Sequence, residues 1–477
     1  MEAAPFLSCE EVVMLQQVGW PRELLEEPSM QPREVPTVAA FIHELLLGEH
    51  LNEVVVLRNG VHLLRLEERV CLPADLMAAL EGKDSALHFL DALGERSLAS
   101  LQANVEFVDS ASGVQRDVLE AAEHAGLLLP IATELAACAR ELHTAEADDP
   151  PADALAQAVA ARTGLLRERE AAAALIASGK VDGASMYICE MRWLNPRQRL
   201  PPGELTTSCS TKHCRDVLGS FARCTLLWNC DDDGLFVGGC LSGKGLHVDQ
   251  RPESNIGKNW RGHKIFIAWP AGASTDEVLE EFYGEVFRPP LAARQLRALR
   301  RARRVLLLRP GDVFLFNGGA AHTTLCVSNG VGLTGYEGLL SAATQHVLQF
   351  RNACASFVGA WREVADLWDA EVAESLMQLP GRVREELDAN RCRCEVLSKA
   401  EAARMARSVL HHLAACVEAE QLPAGDNSQS CGRACVRRAR RASSLRKVAR
   451  VQRPCGGRRR LGLGMAALIR VRARAKK

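Results

Sequence analysis

Between residues 184 and 341 the chain is cut into short apolar runs, each bounded by glycine, proline, asparagine or aspartate. ASMYICEMRW, FARCTLLWNC, GLFVGGC, HKIFIAW, VLLL, VFLF and GVGLTGYEGLL follow one another in this way. Runs of this length with turn residues at their ends read as strands rather than helices. Eight or nine strands in about 160 residues leave many backbone edges to cover, and a double-sheet antiparallel barrel covers them.

Two stretches of this region carry chemistry. The first is GLHVDQRPESNIGKNWRGHKIFIAWP, residues 245 to 270. Alternation along a strand aims His247 and Asp249 into one space. It also puts Lys264, Phe266 and Ala268 on a common face and turns His263 the other way. The second stretch is VLLLRPGDVFLFNGGAAH, residues 305 to 322. Its strands, Pro-Gly-Asp turn and glycine-rich turn deliver His322. An H-x-D pair alone is weak in a chain with thirteen histidines. Two histidines and one carboxylate with positions left open are the ligand set of a non-haem Fe(II) centre. The competing reading is a barrel that keeps the pattern without binding metal, with Lys264 a snorkelling strand lysine.

Composition sets the frame. The chain has 477 residues, 47% of them hydrophobic and 25% charged, which is ordinary for a globular protein with a real core. A net charge of −1 conceals an asymmetry. From Cys431 onward there are seventeen Lys/Arg and no acid, so the first 430 residues carry a net −18. A basic segment of that kind, with RRARR at 437 to 441 and RRR at 458 to 460, reads as a disordered interaction tail. It fits a nuclear address or a nucleic-acid contact, against plain polycation behaviour. The 17 cysteines have no framework spacing and MEAAPFLSCEE is not a secretory leader, so reduced thiols in nucleus or cytoplasm are expected, not secretion. No apolar run approaches the ~18 residues of a membrane span.

The flanks read as mostly helical. Residues 1–145 form a mixed region with a helix in VPTVAAFIHELLLGEHL and a hairpin in VVVLRNGVHLLRL around Asn59-Gly60. Two more helical patterns run from 75 to 93 and from 116 to 143. Residues 146–183 are a linker and a helix with Asp153 as N-cap. The barrel occupies 184–352, a helical region 353–420, and a linker with the tail 421–477. Within the barrel, TDEVLEEFYGEVF is a helical insertion, and the arginines of LAARQLRALRRARR read as a solvated helix face, against contact with phosphate or an acidic substrate. Cys209, His213 and Cys214 in CSTKHC, with Cys392 and Cys394 in RCRC, lack regular zinc spacing.

The residues from about 185 to 352 resemble the JmjC family of Fe(II)- and 2-oxoglutarate-dependent oxygenases, within the cupin-like folds. Among its branches they are most similar to the PHD-finger and F-box-associated histone lysine demethylases. The similarity lies in H-x-D followed by Arg261-Gly262-His263-Lys264-Ile265-Phe266, and in GYEGLLSAATQHVLQF. The resemblance implies an α+β fold with a double-stranded β-helix (jelly-roll) core. It implies Fe(II) held by His247, Asp249 and His322, and Lys264 on the distal carboxylate of 2-oxoglutarate. The implied reaction uses O2 to hydroxylate a protein or peptide side chain, or to demethylate an N-methyl group, with histone lysine as the substrate of the similar branch. Four positions depart from the family pattern. Lys244 stands where a threonine is usual, and Gly257 where some members place an aromatic hydroxyl. Ser254-Asn255 are the polar residues that could stand in, and Asn317-Gly318-Gly319-Ala320-Ala321 replaces a proline-containing turn. The alternative function is a non-catalytic JmjC-like barrel serving as a binding or scaffold module.

Overall fold

The computed structural model describes residues 7–48, 53–66, 78–98, 101–127, 152–193, 218, 226–229, 234–249, 253–269, 273–302, 304–343, 347, 350–351, 354 and 360–421. CSTKHC, the linkers around 146 and 424, and the basic tail lie outside these residues.

Thirteen strands run through the described residues: β1 Arg33–Glu34, β2 Val55–Leu57, β3 Leu101–Val108, β4 Gln115–Asp117, β5 Met186–Trp193, β6 Leu226–Asn229, β7 Gly234–Gly238, β8 Ser254–Arg261, β9 Lys264–Trp269, β10 Arg304–Leu308, β11 Val313–Asn317, β12 Ala321–Cys326 and β13 Gly332–Ser341. Ten of them form one sheet in the order β1-β2-β11-β8-β13-β7-β5-β3-β4, with β6 also on β13. The other three form the sheet β10-β9-β12. Every pairing is antiparallel except β1 with β2. The architecture is mixed α+β.

The turn at Pro310-Gly311-Asp312 does not make a hairpin. It carries the chain from β10 in the small sheet to β11 in the large one. Inner-facing side chains of both sheets therefore meet. Phe266 and Ala268 of β9 and Leu306 and Leu308 of β10 pack with Phe314 and Phe316 of β11 and with Val54 and Val56. Ile265, Ile267 and Trp269 point into a second cluster under the helices around 282 and 299. Lys264, Phe266 and Ala268 thus share one face, as alternation requires. Each fully buried aromatic here contributes about 1.5–3 kcal/mol relative to exposure.

Helices cover the outside. Cys9–Val18 starts with a Ser8–Glu11 capping box, and Val38–Leu47 starts with Thr37 as cap. Ala360–Asp388 and Lys399–Gln421 pack on Val38–Leu47 and the large sheet through one apolar cluster. Ala86–Leu98, Val118–His124 and Ala152–Ala177 pack over β3 and β5. Ala273–Phe282 and Ala293–Leu299 fill the connection from β9 to β10.

Several sequence expectations need correction. Asn59-Gly60 is not a hairpin turn. Asn59 has φ 52, but Gly60 opens a short helix, Gly60–Leu63. Both edges of β2 are already taken by β1 and β11, so no hairpin partner is needed. Gly60 is required by packing, because a Cβ there would meet Val313 Cβ at 2.8 Å. The pattern at 75 to 93 is broken: residues 78 and 79 are helical, 80 to 85 are not, a second helix runs Ala86–Leu98 with Gly94 at φ 72 inside it, and 75–77 lie outside the described residues. The pattern from 116 to 143 starts as a helix at Val118 with Asp117 capping two amides, which ends at His124, and residues 128–143 lie outside the described residues. Asp153 falls inside the helix Ala152–Ala177 rather than before it. The strand β3, LQANVEFV, buries Leu101, Ala103, Val105 and Phe107 and belongs to the same sheet as β5 and β7.

Candidate metal centre

His247 and Asp249 do not sit in a regular strand; residues 241–249 run irregularly beside β12. Leu241 N donates to Cys326 O at 2.8 Å, Thr324 N to Lys244 O at 3.1 Å, and His247 and His322 exchange backbone bonds of 3.1 and 2.9 Å. This pairing sets the two imidazoles side by side, with ring centroids 4.3 Å apart. His322 comes from the start of β12, just after the Gly318-Gly319 turn.

The donor atoms converge. His247 Nε2 is 3.4 Å and His322 Nε2 3.8 Å from Asp249 Oδ1. The three side chains offer ligand atoms that all lie within 4.8 Å of one another, the one such group found among the described residues. Each Nδ1 is occupied by a backbone carbonyl: His247 by Gly245 O at 2.8 Å, His322 by Ala320 O at 3.0 Å. Carbonyls only accept, so Nδ1 carries the proton and Nε2 keeps its lone pair turned to the cluster. Asn255 Nδ2 donates to Asp249 Oδ2 at 2.6 Å, leaving Oδ1 to face the imidazoles. This is the outer support that metal-ligating side chains commonly have.

Electrostatics suit a cation. Burial pushes His322 down to about 4, more strongly than Asp249 and the Ala320 bond raise it, so its imidazole is neutral near pH 7. Burial acts to raise Asp249, but His322, His247 and the Asn255 bond outweigh it and keep the carboxyl below its ordinary value. Two imidazole nitrogens and one carboxylate oxygen fit a divalent metal of the Fe(II) class.

Around the cluster the wall is aromatic. Phe266 stacks on His322 at 5.7 Å and 19°, and Phe316 meets it edge-on at 4.8 Å. In the β9–β12 register, Ala268 lies opposite His322, Phe266 opposite Thr324 and Lys264 opposite Cys326. Lys264 therefore sits on the same inner face as His322, about 13 Å further along the strand at Cα. Its ammonium is buried, donates to Tyr187 Oη at 3.3 Å and lies 5.5 Å from that ring's centre. Burial pushes its pKa down, only partly offset by Cys326 and Cys189. Tyr187 is equally enclosed, and burial holds its hydroxyl protonated.

The departures from the family pattern have structural consequences. Lys244 is held by Glu106 at 2.9 and 3.1 Å, with Cys189 Sγ at 3.5 Å. The Phe314 ring occupies the space a side chain at Gly257 would need. Asn255 contacts the aspartate rather than acting as a free polar residue. Tyr187 and Gln115 were not signalled by any motif. Tyr187 sits in an unremarkable strand, and Gln115 lies 132 residues before His247.

Other candidate groups have ordinary settings. His263 turns away from Lys264 and lies 3.7 Å from Glu11. Arg294 pairs with Glu285 at 2.8 Å and Arg301 with Glu277 at 3.7 Å, while Arg304 belongs to β10 and pairs with Glu53 at 3.1 Å. Cys392 and Cys394 are buried thiols. Among the described residues no helix is long and apolar enough to cross a membrane.

No protein-family model and no curated protein matches the chain. Solved structures do. The Escherichia coli ribosomal oxygenase YcfD in complex with cobalt and succinic acid is 18% identical over 27% of this chain and 28% of that one, with a TM-score of 0.16. A further Escherichia coli YcfD crystal structure is 12% identical over 36% of each chain, with a TM-score of 0.20. The chain thus spans 28% to 36% of the length of these structures, and a likeness of that depth carries no weight for fold or activity.

Proposed function

We propose that the protein is an Fe(II)- and 2-oxoglutarate-dependent oxygenase with a double-stranded β-helix core, acting on a protein or peptide side chain. The observation that carries this reading is the meeting of His247 Nε2, Asp249 Oδ1 and His322 Nε2 in one cluster. Lys264 shares the inner face of the small sheet with His322. The metal with its cosubstrate supplies the oxygen activation that amino-acid side chains lack.

The chain's own residues hold and orient. His247, Asp249 and His322 would bind the metal, with their rotamers fixed by Gly245 O, Ala320 O and Asn255. Lys264 and Tyr187 together would bind the far carboxylate of 2-oxoglutarate through charge-assisted bonds. Tyr187, Cys189 and Cys326 form a buried cluster at that end, which keeps water away and strengthens the ammonium–carboxylate attraction. The metal end is more open, because the side chains of His247 and Asp249 stay 23% and 26% exposed and a substrate side chain can approach there. Hydroxylation of a C–H bond and demethylation of an N-methyl group are both within this chemistry. A histone lysine as substrate rests on the family resemblance of residues 261 to 266 alone.

The test is succinate formation by the full-length protein with Fe(II), ascorbate, 2-oxoglutarate and a peptide array. Turnover that disappears in Asp249→Ala supports the proposal. A second reading is a metal-binding but non-catalytic barrel, favoured by the Glu106 pair that occupies Lys244 and the Phe314 ring beside Gly257. Metal uptake without succinate under any peptide would select it.

A further inference from the structure

The approach to His247 is a narrow segment, Gly243-Lys244-Gly245, threaded between three other parts of the chain. A Cβ on Gly243 would strike the carbonyl of Thr324, and one on Gly245 the backbone of Gly284. On one side Thr323 Oγ1 donates to Lys244 O at 2.8 Å and Lys244 N to Thr324 Oγ1 at 3.1 Å. On another, Gly284 N donates to Leu246 O at 2.9 Å and Leu246 N to Glu285 O at 2.8 Å.

The remaining side is closed from a distant part of the sequence. Gln115 on β4 donates through Nε2 to Gly243 O at 3.0 Å and accepts from Gly245 N through Oε1 at 2.9 Å. One amide thus clasps the backbone on both sides of Lys244. Next to it Glu106 of β3 holds the Lys244 ammonium. Gln115 is itself anchored, since its backbone N donates to Gly284 O at 2.9 Å. The carbonyl of Gly245, whose N–H Gln115 receives, is the one that accepts from His247 Nδ1 at 2.8 Å.

We infer that Gln115 is a positioning residue for the metal centre, fixing the backbone at Gly245 from whose carbonyl the imidazole of His247 is held. The region before residue 127 then supplies a supporting part of the site and not only packing. Gln115 holds the two peptide planes before Gly245, and the bond from Leu246 N to Glu285 O holds the next plane, which carries the Gly245 carbonyl. With the chain fixed on both sides of Gly245, the carbonyl that sets the His247 tautomer and ring direction stays in place. The inference rests on the metal reading above, and its test separates the two.

The experiment titrates Co(II) into the full-length protein under exclusion of oxygen, reading affinity and the visible d–d absorption of the bound ion. Gln115→Met keeps the volume and removes both hydrogen bonds. It should weaken Co(II) by roughly 10- to 100-fold and alter the absorption bands, as loss of outer-shell support does. Gln115→Glu keeps the acceptor for Gly245 N but sets an oxygen against the Gly243 carbonyl, so it should recover only part of the affinity. Arg116→Ala, next in sequence but exposed and paired with Asp109, should bind as wild type. A Gln115→Met protein that binds Co(II) with wild-type affinity and spectrum overturns the inference, even if its stability falls. A wild-type protein that takes up no Co(II) overturns the metal reading instead. Should Gln115→Met fail to fold, Gln115→Asn, one methylene too short to span both contacts, carries the same expectation and the same refutation.

Discussion

Asn255 and Asp249 are joined by a 2.6 Å hydrogen bond from Nδ2 to Oδ2, and this bond decides which carboxylate oxygen faces the two imidazoles. Because Asn255 lies at the start of β8, which pairs with both β11 and β13, the acceptor it fixes is tied to the large sheet while His322 is tied to the small one. Removing the amide should let the carboxylate turn. Asn255→Ala is expected to weaken divalent-metal binding by about 10- to 100-fold with little change in unfolding midpoint. Isothermal titration with Mn(II) measures it, and unchanged affinity would mean that Asp249 is held by other means.

Lys264 and Tyr187 form a buried pair at the closed end of the same face. A hydrogen bond to a charged group is worth about 1.5–3 kcal/mol, so Lys264→Ala should raise the 2-oxoglutarate dissociation constant by roughly 10- to 150-fold while leaving metal affinity alone. Tyr187→Phe, losing one hydrogen bond to the same charged carboxylate worth about 1.5–3 kcal/mol, should raise it by roughly 10-fold or more. Activity indifferent to Lys264→Ala would indicate a metal enzyme that does not use 2-oxoglutarate.

Lys258 and Glu337 make an ion pair of 3.3 Å with both side chains fully buried beneath the outer helices. Charges in such a place are costly to separate. Glu337→Gln should destabilise the fold by about 3–5 kcal/mol, whereas the double change Lys258→Met with Glu337→Leu should recover much of that. Urea unfolding of the three proteins decides it, and a double variant no better than the single one would contradict the explanation.

Acid should loosen the contact between the first helix and the small sheet. Burial acts to raise Glu11, but the Arg309 bond, the Ser8 amide and the charges of Arg309 and His263 outweigh it, so its folded pKa lies below 4.5. Above 4.5 this stabilisation is complete, and it is lost as pH falls through the folded value. His263 is lowered from 6.5, chiefly by burial, so a proton taken up by the unfolded chain costs stability from about pH 6.5 downward. Unfolding midpoints against pH should therefore show a loss beginning near 6.5, to which His322 also contributes, and a further loss below 4.5 that is smaller in Glu11→Gln. A low-pH loss of unchanged size in that variant would assign it elsewhere.

What the sequence made legible follows from the range of its rules. Strand alternation sufficed for Lys264, Phe266 and Ala268, since each contact there depends on its own strand. The seven short apolar runs reappear as β5, β6, β7, β9, β10, β11 and β13, whereas β8 and β12 were not among them and the H-x-D segment is no regular strand. The hairpin at Asn59-Gly60 failed because a turn signal is local, while the pairing of Val55–Leu57 is decided by β11, more than 250 residues away. The alternation in LQANVEFV was visible but lay among helical patterns, and nothing local says that it would join β5. Gln115 and Tyr187 show the same limit at the site. A single polar side chain on a strand gains meaning only from what the fold sets opposite it.

The central claim is that His247, Asp249 and His322 hold one divalent metal. Its most direct test is elemental analysis of the full-length protein after anaerobic loading with Fe(II) and desalting, alongside His247→Ala, Asp249→Ala and His322→Ala. The account predicts one iron per wild-type chain and near none in each variant. No iron in the wild type, or full occupancy in the variants, would contradict it.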